Sequence, residues 1–311
     1  MGFEQPTLFP EPDGWGDGRN LHDVEYIHMR AKRIVNRVPE ASRMPFRFTI
    51  NAYRGCAHAC TYCFARPTHE FLGMNAGEDF ERRIVVKVNA VEKLRRELRE
   101  PRWGGDHIAM GTNTDPYQPA EGRYKLTRGI IEVLGEARNE FSILTKSPMI
   151  VRDLDVLVAA AKRTHVRCNL SIGTVDEDVW RASEPGTPPP RQRLEAVRRL
   201  NDAGIPCGVL VAPILPGISD DPDRIEAVVE AVIEAGAVSI APILLHLRPG
   251  VRDVFMPWLA AYRPDLVDRY RKLYAGSYAS AAGARVSQLV QELVRRHGGL
   301  PTAPSRTRLA A

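Results

Sequence analysis

The chain has 311 residues, with 43 Lys and Arg against 38 Asp and Glu, a formal net charge of +5, and 44% hydrophobic and 26% charged residues. That composition excludes a peptide-sized module and a broadly disordered chain, and it suffices for one enzyme-sized core. No run of about 18 apolar residues occurs, and the N-terminus lacks the basic and apolar regions of a secretory signal, so a cytoplasmic protein without membrane association is expected.

Residues 1–42 are rich in Pro, Gly and Asp and read as an N-terminal extension, with an apolar rhythm confined to His28 to Val38. Short apolar or alternating runs then predict six strands: Phe46 to Ala52, His107 to Gly111, Phe141 to Lys146, Val166 to Ile172, Pro206 to Ile214 and Val238 to Leu244. Helical periodicity falls between and after them, at Val88 to Arg99, Thr127 to Arg138, Asp153 to Arg163, Arg193 to Ala203 and Pro222 to Ala235. The last has a single apolar stripe of Ile225, Val228, Val229, Val232 and Ile233, with Asp221 placed to cap it, Pro222 in its first turn and Gly236 at its exit. Residues 249–300 add helices with stripes at Val254, Trp258, Leu259 and Tyr262 and at Val286, Leu289, Val290 and Leu293, and residues 301–311 form a polar tail.

Strands that alternate with helices predict a parallel α/β sheet. Two of these strands carry one polar and one apolar face, Arg47, Thr49 and Asn51 against Phe48 and Ile50, and Arg167, Asn169 and Ser171 against Val166, Cys168 and Leu170. A flat sheet covered on both sides would want both faces apolar. A partial TIM-like barrel with a polar lumen fits better: a core over residues 43–248, closed or covered by the helices of 249–300. Ligands of such barrels sit on the loops after the strands.

The loop after the first of these strands holds three of the five cysteines, Cys56, Cys60 and Cys63, spaced C-x3-C-x2-C. A secreted disulfide framework does not fit an odd count clustered this way. A closed zinc site wants four ligands, and Cys168 and Cys207 lie far away within strand patterns. Three thiolates suit an iron–sulfur cluster that keeps one iron for a substrate or cofactor, such as the amino and carboxylate groups of S-adenosylmethionine (SAM).

At these residues the sequence resembles the radical SAM superfamily, whose hallmark is C-x3-C-x-aromatic-C after the first strand of a partial (β/α)6 barrel, with Tyr62 at the aromatic position. Asn-Ala-Tyr-Arg-Gly-Cys before the cluster, the run from Gly111 to Glu121, Glu184-Pro185 with Arg193-Leu194-Glu195-Ala196, and Ala212-Pro213-Ile214-Leu215-Pro216-Gly217 look like its spore photoproduct lyase-related branch. The resemblance implies a [4Fe-4S] cluster on Cys56, Cys60 and Cys63, reductive cleavage of SAM to a 5′-deoxyadenosyl radical, and a reductant such as ferredoxin or flavodoxin. It further implies a SAM pocket drawn from Tyr62, Thr112, Asn113, Thr114, Asp115, Ser171, Thr174, Glu184 and Arg193, with Asp115 accepting from the cofactor's ammonium and Arg193 reaching its carboxylate. Glycine and threonine stand at 111 and 112, close to where the lyases carry a hydrogen-donating cysteine, and strand parity turns Cys168 toward the helices.

The basic residues from Arg82 to Arg102 are interleaved with glutamates and read as a salt-bridged face, whereas Arg285, Arg295, Arg296, His297, Arg306 and Arg308 meet few acids. Nucleic acid is therefore a candidate substrate, and DNA or RNA repair or modification is an alternative function. A non-catalytic zinc or iron–sulfur binding protein is the alternative of a different class.

Overall fold

Val166, Cys168 and Leu170 alternate with Arg167 and Asn169, and in the computed structural model the first three are buried while Arg167 is exposed. The structure describes residues 23–42, 44–276 and 280–302. Its strands are β1 (Glu25–Met29), β2 (Val35–Arg37), β3 (Phe48–Ile50), β4 (Tyr53–Arg54), β5 (Arg83–Lys87), β6 (Ile108–Met110), β7 (Phe141–Thr145), β8 (Val166–Ser171), β9 (Cys207–Ile214) and β10 (Ile240–Leu244). The helices are α1 (Glu78–Arg82), α2 (Ala90–Glu97), α3 (Pro119–Tyr124), α4 (Leu126–Glu136), α5 (Leu154–Ala161), α6 (Glu177–Ser183), α7 (Pro190–Asp202), α8 (Pro222–Glu234), α9 (Arg252–Tyr262), α10 (Val267–Leu273) and α11 (Ser280–Arg296).

The main sheet has the order β10-β9-β8-β7-β6-β3-β2. All neighbours from β3 to β10 run parallel, and β2 joins antiparallel to β3. The six parallel strands are those the sequence pattern predicts. The cysteine loop, the loops after β6, β7 and β10, and the C-terminal ends of β8 and β9 meet around one cavity, as the strand ends of a partial barrel do. Beneath the helices lies one apolar core that includes Ile143, Cys168, Val209 and the α8 stripe of Ile225, Val228, Val229 and Val232. The Asp221 carboxylate accepts from Asp223 N at 3.0 Å at the start of α8, and Gly236 leaves that helix with φ of 72°.

Two details go beyond the sequence pattern. The stretch read as an extension contributes β1 and β2, and β1 forms a second sheet of order β1-β5-β4. That small sheet pins the entrance to the cysteine loop, because Tyr53 and Arg54 pair with Val86 and Val85. The lumen is also not uniformly polar. Leu144, Leu210 and Ala212 face the cavity, because the inward row of β9 is apolar and that of β7 carries Leu144 between Ser142 and Lys146.

The C-terminal helices divide their work. The α11 helix packs on α8 and β10, while Phe255, Leu259 and Tyr270 of α9 and α10 form a second apolar cluster with Cys60 and Tyr62. That cluster packs against the cysteine loop through Cys60 and Tyr62. Among the described residues no helix is long and apolar enough to cross a membrane. Arg306 and Arg308 of the tail lie outside the described residues.

Candidate active site

The cysteine loop is held from several sides through its backbone groups. Gly55 enters it with φ of 78°, and a Cβ there would lie 2.7 Å from Phe80 O, so only glycine fits. Cys56 N donates to Phe80 O at 2.9 Å. Thr114 Oγ1 and Gln118 Nε2 donate to Gly55 O at 2.6 and 3.0 Å, and Gln118 Oε1 accepts from Ala57 N at 3.1 Å. From the other side Gly186 N donates to His58 O at 3.1 Å, and Thr61 N to Ser183 O at 3.0 Å. A Cβ on Gly186 would fall 2.3 Å from Ala57 O, so the turn after α6 presses backbone to backbone against the loop.

Cys56 and Cys60 are buried and Cys63 is partly exposed. Burial pushes all three thiols up, and the buried Asp115 carboxylate and the two neighbouring thiols raise Cys56 further. Such thiols stay protonated at neutral pH unless a metal takes the proton's place.

A cavity of about 220 Å³ opens beside the loop, lined by the three cysteines, the segment after β6, Leu144 to Lys146, Ser171, the end of β9 and Ile243 to His246. Lys146 stands at its centre. Its Nζ donates to Ser171 Oγ at 2.6 Å and to Ala212 O at 3.4 Å, lies 3.6 Å from Glu184 Oε1, and sits 5.7 Å from the centre of the Tyr62 ring. The sequence reading missed it as a site residue. Strand parity carried the signal, since Ser142, Leu144 and Lys146 share the inward face.

Of the nine residues expected around SAM, Tyr62, Thr112, Thr114, Asp115 and Ser171 line the cavity. Asp115 does so with both oxygens engaged. Oδ1 accepts from Thr145 Oγ1 at 2.6 Å and Tyr117 N at 2.8 Å, while Oδ2 accepts from Lys146 N at 2.8 Å and faces His58 Nδ1 at 3.4 Å. Burial opposes its charge, but His58, Thr145 and the Lys146 amide together hold the carboxyl below its ordinary range. It ties the β6 loop to β7 rather than offering a vacant acceptor. Thr114 is likewise turned onto the cysteine loop, and Thr112 Oγ1 pairs with the Asn51 amide at 3.3 Å.

Asn113, Thr174, Glu184 and Arg193 stand away from the lining. Asn113 is exposed and gives its backbone N to Asn51 Oδ1. Thr174 Oγ1 accepts from Asp176 N at the start of α6. Arg193 is buried, and its donors reach Pro188 O at 2.9 Å, Ser171 O at 3.0 Å, and Glu184 Oε2 and Thr187 Oγ1 at 2.5 Å each. Every arm of the fork is engaged, and Arg193 ties the end of β8 to Glu184. Glu184 in turn accepts from the Tyr62 hydroxyl. Though buried, its carboxyl is lowered to about 2 by Arg193, Lys146 and the hydrogen bonds of Tyr62 and Arg193. Tyr62, inside the C-x3-C-x-aromatic-C motif, is thereby fixed to the turn that clamps the loop.

Cys168 and Cys207 are fully buried in the main core, paired in register on β8 and β9, and burial pushes Cys168 up to about 12. Neither lines the cavity. At Gly111 φ is 89°, and a Cβ would lie 1.9 Å from Leu144 O. No side chain, a cysteine's included, fits there without moving β7.

The profile of the Radical SAM superfamily matches residues 50–232. An uncharacterized protein of Mycobacterium tuberculosis (strain ATCC 25618 / H37Rv) is 43% identical over 300 residues, covering 94% of this chain and 86% of that one. The fold resembles that of spore photoproduct lyase complexed with dinucleoside spore photoproduct, with a TM-score of 0.66 over 88% of this chain and 79% of that one at 18% identity. It also resembles Streptococcus suis SuiB bound to S-adenosylmethionine, with a TM-score of 0.55 over 84% of this chain and 50% of that one at 16% identity. With the profile spanning more than half of the chain and the three cysteines of its motif gathered on one clamped loop, the chain belongs to the radical SAM superfamily and is a radical SAM enzyme.

Proposed function

We propose that Cys56, Cys60 and Cys63 hold a [4Fe-4S] cluster and that SAM occupies the adjoining cavity. When bound, the pair supplies one-electron cleavage of the cofactor's carbon–sulfur bond to a 5′-deoxyadenosyl radical, which takes hydrogen from a substrate. The observation that carries this reading is the placement of three thiols and one inward lysine around the same cavity at the C-terminal ends of the strands.

The donor set favours a cluster over a single zinc ion. A closed tetrahedral zinc site wants four ligands, and the other two cysteines, Cys168 and Cys207, are buried in the main core away from the loop. Three thiolates suit a cluster that keeps one iron open to a cofactor.

The chain's own residues divide the remaining work. Lys146 presents a cation to the methionine carboxylate, held in place by Ser171 and the Ala212 carbonyl. Ser171 and Ala212 flank the ribose and adenine side. Tyr62 shields the cluster with its ring, its hydroxyl fixed on Glu184. The α9 and α10 cover excludes water from a radical. The inward residues Leu144, Leu210 and Ile243 shape a space for an uncharged portion of the substrate. A ferredoxin or flavodoxin supplies the electron on the side where Cys63 is partly exposed.

Several of the basic residues that suggested a nucleic-acid substrate already have acidic partners. Arg296 and His297 both meet Glu226, at 3.1 and 2.8 Å, and Arg96 meets Glu92 at 2.7 Å.

Anaerobic reconstitution with iron and sulfide tests the reading. About four irons and four sulfides per chain, with SAM binding that Cys56→Ala removes, are expected. One equivalent of zinc with no bound sulfide would contradict it.

A further inference from the structure

Arg66 lies three residues beyond the last cysteine, fully buried behind the loop. Its Nε donates to Cys60 O at 3.0 Å, and its Nη2 donates to the same oxygen at 2.8 Å and to Ala59 O at 3.2 Å. Nη1 donates to Ala76 O at 3.0 Å and Gly77 O at 3.2 Å on the approach to α1. The guanidinium carbon lies 5.4 Å from the centre of the Phe80 ring, and Glu81 Oε1 lies 2.5 Å from Nη2.

Two features make this more than a satisfied core arginine. Ala59, between the first two cysteines, has φ of 52°, a left-handed backbone that is strained for a residue with a Cβ. Arg66 takes the carbonyl of that strained residue and the carbonyl of the next, which is a cluster ligand. The planar fork reaches both at once, and a lysine's point charge cannot. The second feature is charge. A cation sealed behind the cysteine loop, bonded to the Cys60 carbonyl, acts through a low dielectric. Glu81, with 18% of its side chain exposed against none for Arg66, is the better screened partner, so the pair leaves a net positive field at the loop.

We propose that the Arg66–Glu81 pair positions the cysteine loop and sets the reduction potential of the cluster it holds. The inference rests on the cluster reading above. Cluster potentials follow nearby net charge and hydrogen bonding. A reduced cluster carries one more negative charge, so a buried cation raises its potential and a buried anion lowers it.

The test uses the full chain in two measurements. Hydrogen exchange on the cluster-free protein reads residues 57–62, with the wild type, Arg66→Lys and Glu81→Gln compared. The clamp predicts exchange more than tenfold faster in Arg66→Lys and little changed in Glu81→Gln, which keeps the arginine's bonds to the loop carbonyls. Potentiometric EPR on the reconstituted protein then reads the midpoint potential. Glu81→Gln is expected to shift it positive, and Arg66→Met, where that variant folds and loads, to shift it negative. Unchanged loop exchange in Arg66→Lys overturns the clamp, and a Glu81→Gln potential equal to that of the wild type overturns the electrostatic role. If the wild type takes up no iron and sulfide, the electrostatic half falls with the cluster reading, and loop exchange alone decides the clamp.

Discussion

Glu184→Gln removes one charge from behind the cavity wall, beside Lys146, while keeping the side chain's shape. The glutamate carboxyl is held near pH 2 against an ordinary value of 4.5, and at about 1.4 kcal/mol per pH unit the folded state favours its charged form by about 3 kcal/mol. Loss of one partner from a buried ion pair costs about 3–5 kcal/mol, which agrees, because Arg193 and Lys146 both lose their counter-ion in this variant. The sign with pH follows from the lowered carboxyl. Its contribution is fully present above about pH 4.5 and is lost as pH falls from there toward 2. Urea unfolding of the cluster-free protein at pH 7 under a thiol reductant should therefore show a loss of about 3 kcal/mol for Glu184→Gln. The difference between variant and wild type should shrink as pH falls below 4.5. A loss under 1 kcal/mol, or a difference independent of pH, would refute the claim that this carboxylate is the charged hub of the site.

Lys146→Met should leave iron and sulfide content near that of the wild type and weaken SAM binding more than tenfold in equilibrium dialysis; unaltered binding would remove the lysine from the cofactor. Gly111→Ala should lower the melting temperature by several degrees and the soluble yield with it, because the new Cβ would meet the Leu144 carbonyl at 1.9 Å. A wild-type melting temperature would show that β7 yields readily. Because burial holds the three thiols protonated, cluster assembly must release protons. Reconstitution should run faster at pH 8.5 than at pH 7 and acidify an unbuffered solution; a rate independent of pH would contradict the raised thiols.

The six parallel strands and the helices α2, α4, α5, α7 and α8 were legible because each strand is a short apolar run bounded by turn residues and each helix repeats its apolar stripe. Strands β1, β2, β4 and β5 were not, for their pairing is set by partners distant in sequence. The cysteine loop was legible from spacing alone, and the inward turn of Ser171 and outward turn of Cys168 followed from parity. Which buried polar groups satisfy one another was not legible. Arg193 and Glu184 are nine residues apart in sequence and looked like two ligands, but in the fold each is the other's partner, with Tyr62 and Lys146 attached. Asp115 looked like a free acceptor until Thr145, Tyr117 and Lys146 were seen to engage it. Arg66 gave no signal at all, since its targets are carbonyls, which a sequence does not display.

The central claim is that this chain turns SAM into a radical source. After anaerobic reconstitution, dithionite reduction in the presence of SAM should yield 5′-deoxyadenosine and methionine in equal amounts, and none from Cys60→Ala. A fully loaded cluster that binds SAM and forms no 5′-deoxyadenosine on reduction would contradict the account.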